Sequence, residues 1–247
     1  MNQNKVAVVT GATSGIGKAC ALGLARAGFR LAICGRRQDK LEETAEACGG
    51  ALAITCNVAD SADVSRFFTG IRDQLGRVDF VFNNAGRFSP AASFGDVDIA
   101  TWSDVIDINL NGAFYVAREA FRIMRDQTPQ GGRIVNNGSI SAHAPRPGAA
   151  PYTVSKHAIT GLTKSISLDG RAFNIACGQI DIGNTATAMT GSMSAGVIQA
   201  NGTIMPEPTF DVAHVADAIV YMAQLPLEAN VQFMTVMATN MPFIGRG

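Results

Sequence analysis

Thr10-Gly11-Ala12-Thr13-Ser14-Gly15-Ile16-Gly17 narrows what this chain can fold into more than any other stretch. A short β-branched run at 5–10 (KVAVVT) precedes it, and a helical pattern to about Ala27 follows, with Ile16, Ala19, Cys20 and Leu24 on one side. A strand that feeds a glycine-rich turn and then a helix begins a βαβ unit. Gly11 permits the tight turn, Gly15 lets the backbone approach a pyrophosphate, and Gly17 lets helix and strand pack closely. The free N–H groups at the helix start then face an anion. The same glycines also suit an ordinary β–α turn; it is the position after the first strand that favours a phosphate site. Gly11, Thr13, Ser14, Gly15, Ile16 and Gly17 are the cofactor contacts expected here.

The alternation continues along the chain. Strands are predicted at 30–34, 51–55, 79–83, 132–136, 172–177 and 231–236. Helices are predicted at 38–48, 61–75, 101–126, 152–168 and 211–224. This order implies right-handed crossovers and a doubly wound parallel sheet with helices on both faces, a single-domain α/β Rossmann fold spanning residues 1–247. No repeat, charge block or Pro/Gly linker divides it. Residues 183–208, rich in Gly, Thr, Ser, Ala and Met without a clear period, read as a mobile substrate loop or lid carrying a short helix.

Composition excludes several classes. Lys+Arg and Asp+Glu balance at 20 each, which argues against a nucleic-acid partner. Five cysteines (Cys20, Cys34, Cys48, Cys56, Cys177) with no paired framework read as reduced thiols and a cytoplasmic location. They form no metal spacing with His143, His157 or His214, so no metal site is expected. No apolar run is long enough for a transmembrane span or a signal peptide.

Tyr152 and Lys156 are four apart in a strongly helical stretch and share one face. A phenol is a poor base at neutral pH, but a fixed ammonium, together with an oxidised nicotinamide, is expected to lower its pKa. Ser139, just past the 132–136 strand, reaches the same cleft, where its hydroxyl can hold a substrate oxygen. At the end of the second strand Cys34-Gly35-Arg36-Arg37 replaces the acidic residue that would repel a 2′-phosphate. Arg36 and Arg37 therefore favour NADP(H) over NAD(H).

The TGxxxGxG turn, Asn83-Asn84-Ala85-Gly86 and Tyr152-x-x-x-Lys156 together resemble the short-chain dehydrogenase/reductase family, including its 3-oxoacyl carrier-protein reductases. The likeness runs along nearly the whole chain and thins after Cys177. It implies NADP(H)-dependent interconversion of a carbonyl and a secondary alcohol, with Asn109, Ser139, Tyr152 and Lys156 as the catalytic set. In the family the asparagine helps hold a water linking the lysine to solvent. The resemblance further implies cofactor contacts from Asn57, Val58, Asn84, Ala85, Gly86, Tyr152, Lys156 and the backbone near Ile180. It also implies a homo-dimer or homo-tetramer built on the helices at 101–126 and 152–168.

The family's usual Pro-Gly after the sixth strand is absent from Cys177-Gly178-Gln179-Ile180-Asp181-Ile182-Gly183-Asn184-Thr185. Thr185 or Thr187 is the candidate replacement for the family's threonine hydroxyl. His143 is either a substrate contact or an ordinary loop residue, and His157 and Cys177 read as structural. Met189, Met193 and Met205 are candidates for an adaptable apolar wall, or equally for core or interface positions. The rival to an enzyme is a cofactor-sensing binding protein on the same fold, since fold alone does not decide function.

Overall fold

The computed structural model describes residues 4–187 and 196–244. Seven strands form the main sheet: β1 (Val6–Thr10), β2 (Arg30–Gly35), β3 (Leu52–Thr55), β4 (Phe80–Asn83), β5 (Gly132–Asn137), β6 (Ile175–Ile182) and, last in the chain, β9 (Phe233–Val236). A separate two-stranded antiparallel hairpin pairs β7 (Val197–Ile198) with β8 (Ile204–Met205). The helices are α1 (Gly15–Arg26), α2 (Gln38–Ala47), α3 (Ser61–Leu75), α4 (Ile99–Ile106), α5 (Gly112–Asp126), α6 (Ala150–Asp169) and α7 (Ala213–Gln224).

The sheet order is β3-β2-β1-β4-β5-β6-β9, and every neighbouring pair is parallel. All five residues of β1 are buried, as a central strand covered on both faces requires. One core layer joins the sheet to Leu24 of α1, Leu41 of α2 and Ile219 and Met222 of α7. The opposite layer packs Phe67 and Phe68 of α3 and Val116 and Met124 of α5. Strand order reverses between β1 and β4, so a crevice opens at their carboxyl ends, where folds of this kind bind ligands.

Local signals explain the helix ends. Asp60 accepts hydrogen bonds from the Ala62 and Asp63 N–H groups to start α3, and Gly76 ends it at φ 81°. Arg133, fully buried in β5, donates to the carbonyls of Met222, Leu225, Pro226 and Ala229, three of them at 2.6–2.9 Å. It thereby satisfies the backbone groups that the end of α7 leaves open.

Two elements differ from the sequence reading. The helix expected at 101–126 is α4 and α5 joined by a π turn at Asp107–Asn111. A Cβ on Gly112 would come within 2.9 Å of the Val58 side chain and 3.0 Å of its carbonyl, so this backbone packs directly on the loop after β3. The π turn carries Asn109 inward, a common placement for such bulges at functional sites. The strand expected at 172–177 is displaced: Gly170–Phe173 form a 3₁₀ turn, Asn174 is left-handed at φ 56°, and β6 runs to Ile182. Polar Gln179 and Asp181 disguised it in the sequence, because their partners are buried elsewhere in the fold.

In the described parts of the 183–208 stretch the β7–β8 hairpin stands after Gly196, and residues 188–195, on which the expected short helix can fall, lie outside the described residues. Met205 is 54% exposed and does not line the large cavity at the carboxyl edge of the sheet; Met189 and Met193 lie outside the described residues.

Candidate active site

Each strand of the switch region hands a different group to one place. The residues that follow β1, β2, β3, β4, β5 and β6 all border a cavity of about 960 Å³ at the carboxyl edge of the sheet. Its wall contains Gly11, Thr13, Ser14, Gly15, Ile16, Gly17, Arg36, Arg37, Asn57, Val58, Asn84, Ala85 and Gly86. Ser139, Tyr152 and Lys156 share that wall. Asn109 and Ile180 do not line it.

The glycine turn fits a dinucleotide phosphate. A Cβ on Gly17 would sit 2.2 Å from the Gly11 carbonyl oxygen, so the helix can start this close to β1 only without one. Gly11 is left-handed at φ 68°, with Ala85 Cα 3.0 Å from where its Cβ would be. Thr10 Oγ1 accepts the Asn84 and Ala85 N–H groups at 2.9 and 3.0 Å, and Asn84 Nδ2 donates to the Thr10 carbonyl at 2.8 Å. The Asn-Ala-Gly segment is thus bolted to the turn. Arg37 Nη2 donates to Thr13 Oγ1 at 3.0 Å and Ser14 Oγ at 3.1 Å, which holds a guanidinium over the turn from the end of β2.

Ser139 leads out of β5 and is 5% exposed. Its Oγ accepts the Ser141 N–H at 3.1 Å, leaving its proton to point elsewhere. Tyr152 stands in the first turn of α6 with Phe88 against it, ring centroids 4.3 Å apart. Lys156, one turn on, is 5% exposed; its Nζ donates to the Asn137 carbonyl at 2.7 Å and lies 5.5 Å from the Tyr152 ring centroid.

Within the chain itself, burial rather than the Lys156 ammonium sets the direction of the Tyr152 pKa. Burial pushes Tyr152 up to about 12, and a hydrogen bond with Ser139 and the Arg146 charge pull only partly the other way. Burial pushes Lys156 down to about 8, with the Asp181 carboxylate opposing it. Desolvation therefore outweighs the neighbouring charges for both groups.

Asp181 is the functional residue that the sequence reading missed. Its Oδ1 accepts the Ser139 N–H at 3.0 Å and Gln179 Nε2 at 2.7 Å, and its Oδ2 is 2.7 Å from His143 Nε2. A Cβ on Gly138 would lie 2.0 Å from Oδ1, so the chain passes over the carboxylate at a glycine. A chain of buried donors leads to it. Asn83 Nδ2 donates to Asn136 Oδ1, Asn136 Nδ2 to Thr163 Oγ1, Thr163 Oγ1 to Gln179 Oε1, and Gln179 Nε2 to Asp181. Every link is 2.7–3.1 Å and points its proton toward the carboxylate, an arrangement in which successive bonds reinforce one another. The usable signal was an acidic residue between Ile180 and Ile182, since a charge inside an apolar run is rarely buried without a purpose.

Asn109 Oδ1 accepts the Arg87 N–H at 2.8 Å, and its Nδ2 donates to the Arg87 carbonyl at 3.0 Å and Ser155 Oγ at 3.1 Å. Its side chain is fully engaged as a brace between the loop after β4 and α6, rather than facing the cavity. Ile180 is interior to β6 with its carbonyl bonded to Gly138 N–H at 2.8 Å; the wall begins two residues later, at Ile182, and continues through Thr185 and Thr187. His143 pairs with Asp181, His157 is exposed on α6, and the Cys177 thiol is buried and pushed up by that burial.

Charge on the wall is one-sided. Arg36, Arg37, Arg87, Arg146 and Lys156 line it, and no Asp or Glu does among the described residues. Among those residues no cluster of His, Cys, Asp and Glu is disposed to hold a metal. No helix of the described residues is long and apolar enough to cross a membrane.

Comparison with known proteins gives the same picture. Residues 5–197 match the family model described as short chain dehydrogenase. The chain is 35% identical to a 3beta-hydroxysteroid dehydrogenase of Mediterraneibacter gnavus over 78% of this chain and 70% of that protein. It is 32% identical to a 3-oxoacyl-[acyl-carrier-protein] reductase of Synechocystis over 77% of this chain and 78% of that one. Among solved structures, levodione reductase superposes with a TM-score of 0.85 at 25% identity, covering 96% of this chain and 97% of its own.

Proposed function

This chain belongs to the short-chain dehydrogenase family and is an oxidoreductase acting on hydroxyl and carbonyl groups; we propose that it uses NADP(H) to interconvert a ketone or 3-oxoacyl carbonyl and a secondary alcohol, with Tyr152 as acid and base. The observation that carries this reading is the meeting of Ser139, Tyr152 and Lys156 on the wall of a cavity that also holds the glycine turn and Arg36–Arg37.

Held at the glycine turn and by Arg36 and Arg37, a nicotinamide cofactor would supply the hydride for the carbonyl carbon, or take one from the alcohol. The protein's own groups handle the oxygen and the proton. Ser139 offers its hydroxyl to the carbonyl oxygen as negative charge develops there. Tyr152, with its pKa near 12, is protonated at neutral pH and is ready to donate to that oxygen. The Lys156 ammonium stabilises the phenolate left behind, and Asp181 holds Ser139 in place from beneath. In the oxidative direction the same groups run in reverse.

Several features support the finer parts of the reading. Arg36 and Arg37 are exposed where a 2′-phosphate would lie, and β2 ends in no acidic residue, which favours NADP(H). Phe114 on α5 and Val154 on α6 are 46% and 44% exposed, which favours a homo-oligomer joined through those helices. Five unpaired cysteines favour a reducing, cytoplasmic setting. The cofactor-sensing alternative gains nothing from the relatives.

The test is NADPH and NADH oxidation over a panel of ketones and 3-oxoacyl thioesters, with the alcohol product identified. Turnover with a preference for NADPH is expected. Tight NADPH binding with no turnover across the panel would overturn the reading and restore the sensor.

A further inference from the structure

Arg146 lies between β5 and α6, on the same cavity wall as Tyr152; its charge lowers the Tyr152 pKa, but no step derived above uses it directly. Its side chain is 15% exposed. Nη2 donates to Asn184 Oδ1 at 3.0 Å and to Glu207 Oε2 at 2.5 Å. Nη1 is buried with no hydrogen-bond partner among the described residues. A buried guanidinium nitrogen without an acceptor is costly, and native proteins rarely leave one.

The groups behind Arg146 fix its orientation. Glu207 is 3% exposed and is not on the cavity wall. Its carboxylate is engaged by Arg146 Nη2, by Asn184 Nδ2 at 2.7 Å and by Gln199 Nε2 at 3.1 Å. These donors share its charge, and it stands behind the guanidinium rather than beside an incoming ligand. The hydrogen bonds with Arg146, Asn184 and Gln199 also hold its carboxyl below the usual range despite burial, so the brace stays ionised at neutral pH.

Among the described residues, the charged groups that line the cavity are all cations. Of the five that line it, Arg36 and Arg37 fall to the cofactor phosphates and Lys156 to the reaction in the function proposed above. Arg87 is committed to Asp104. That leaves Arg146; Ser89 lines the same cavity, and its buried Oγ has no hydrogen-bond partner among the described residues. Resting on that function, we propose that the substrate is an oxo acid: a carbonyl compound that also bears a carboxylate, which Arg146 binds through its unused donors. A guanidinium held rigidly from behind is suited to this, since little side-chain freedom remains to be lost on binding.

The experiment compares the 2-oxo to 6-oxo straight-chain acids with their methyl esters in wild type, Arg146→Lys and the double variant Arg146→Gln/Glu207→Gln. The double variant removes both members of the ion pair and so leaves no buried unpaired charge. At one chain length or more, wild type should prefer the acid in kcat/KM on the order of 10- to 100-fold, the scale of one charge-assisted hydrogen bond. The double variant should lose that preference while ester turnover stays within about threefold, and Arg146→Lys should retain part of it. Equal rates for acid and ester at every length, or equal losses for both in the double variant, would overturn the proposal.

Calorimetric binding of the same acids to NADPH-loaded protein reads the site without turnover. Acid binding that the double variant abolishes, with NADPH affinity intact, supports the carboxylate site even if no carbonyl is reduced, in which case only the proposed reaction fails. Acid binding absent from wild type, or unchanged in the double variant, overturns the site itself.

Discussion

Asp181 Oδ1 lies 3.0 Å from the backbone nitrogen of Ser139, so the serine expected to hold the substrate oxygen is itself held by a buried carboxylate. The same carboxylate reaches the outside through His143, at 2.7 Å, and acts electrostatically on both Tyr152 and Lys156. Position and charge at this residue can be separated experimentally.

Asp181→Asn retains an oxygen to accept the Ser139 N–H but removes the charge. It should lower kcat about 10- to 100-fold with KM for NADPH unchanged. Asp181 supports the charged form of Lys156, so the alkaline limb of kcat, expected near pH 8, should move to lower pH in the variant. An unchanged pH profile would show that Asp181 acts through shape alone. His143→Gln, at the solvent end of the pair, should give a smaller effect in the same direction.

Lys156 places function against stability. Its folded pKa of about 8 is below the ordinary 10.5, so the unfolded chain binds more protons between those values. The cost of burying the ammonium is fully present below pH 8 and is relieved as pH rises toward 10.5. Lys156→Met should therefore abolish turnover while raising stability at pH 7 by about 1–3 kcal/mol, an advantage that shrinks by pH 10. Urea denaturation at the two pH values checks this. A destabilised variant at pH 7 would mean that the Asn137 contact outweighs desolvation.

Arg36→Ala and Arg37→Ala separate the two nicotinamide cofactors. Each should weaken NADPH on the order of 10- to 100-fold and NADH by less than about threefold. Arg37→Ala also releases Thr13 and Ser14, so its effect on NADH should be the larger of the two. Equal losses for both cofactors would remove the argument for a 2′-phosphate site. Fluorescence titration of the reduced cofactors measures both.

Arg133→Leu tests the fold away from the site. It strips the buried donors from four carbonyls at and beyond the end of α7 and should destabilise the protein by about 3 kcal/mol or more. Thermal unfolding reads this directly; a change under 1 kcal/mol would mean that water replaces the guanidinium.

What the sequence revealed, and what it hid, follows from the range of the interactions. β1, the glycine turn and α1 were legible because apolar period and glycine placement are local signals. Tyr152 and Lys156 were legible because one helical turn relates them. Asp181 was not, since its partners Ser139, His143 and Gln179 meet only when β5 and β6 pair. For the same reason polar Gln179 and Asp181 hid the true length of β6, and Ile180 was assigned to a cavity that begins at Ile182. The 101–126 stretch read as one helix because a π turn leaves the apolar period nearly intact; Gly112 against Val58 is a tertiary contact. The C-terminal segment from Met237 to Gly247 has no familiar family ending, yet Ala238 and Met241 within it pack on Ile140 beside the serine.

The most direct test is turnover by Tyr152→Phe. The substitution keeps the ring that packs against Phe88 and removes only the hydroxyl, so NADPH binding should stay within about threefold of wild type. Reduction of the best ketone in the panel should fall by about 10²- to 10⁴-fold, the range ascribed to a positioned acid. Unchanged turnover in a variant that still binds NADPH would contradict the assignment of Tyr152 as the proton donor.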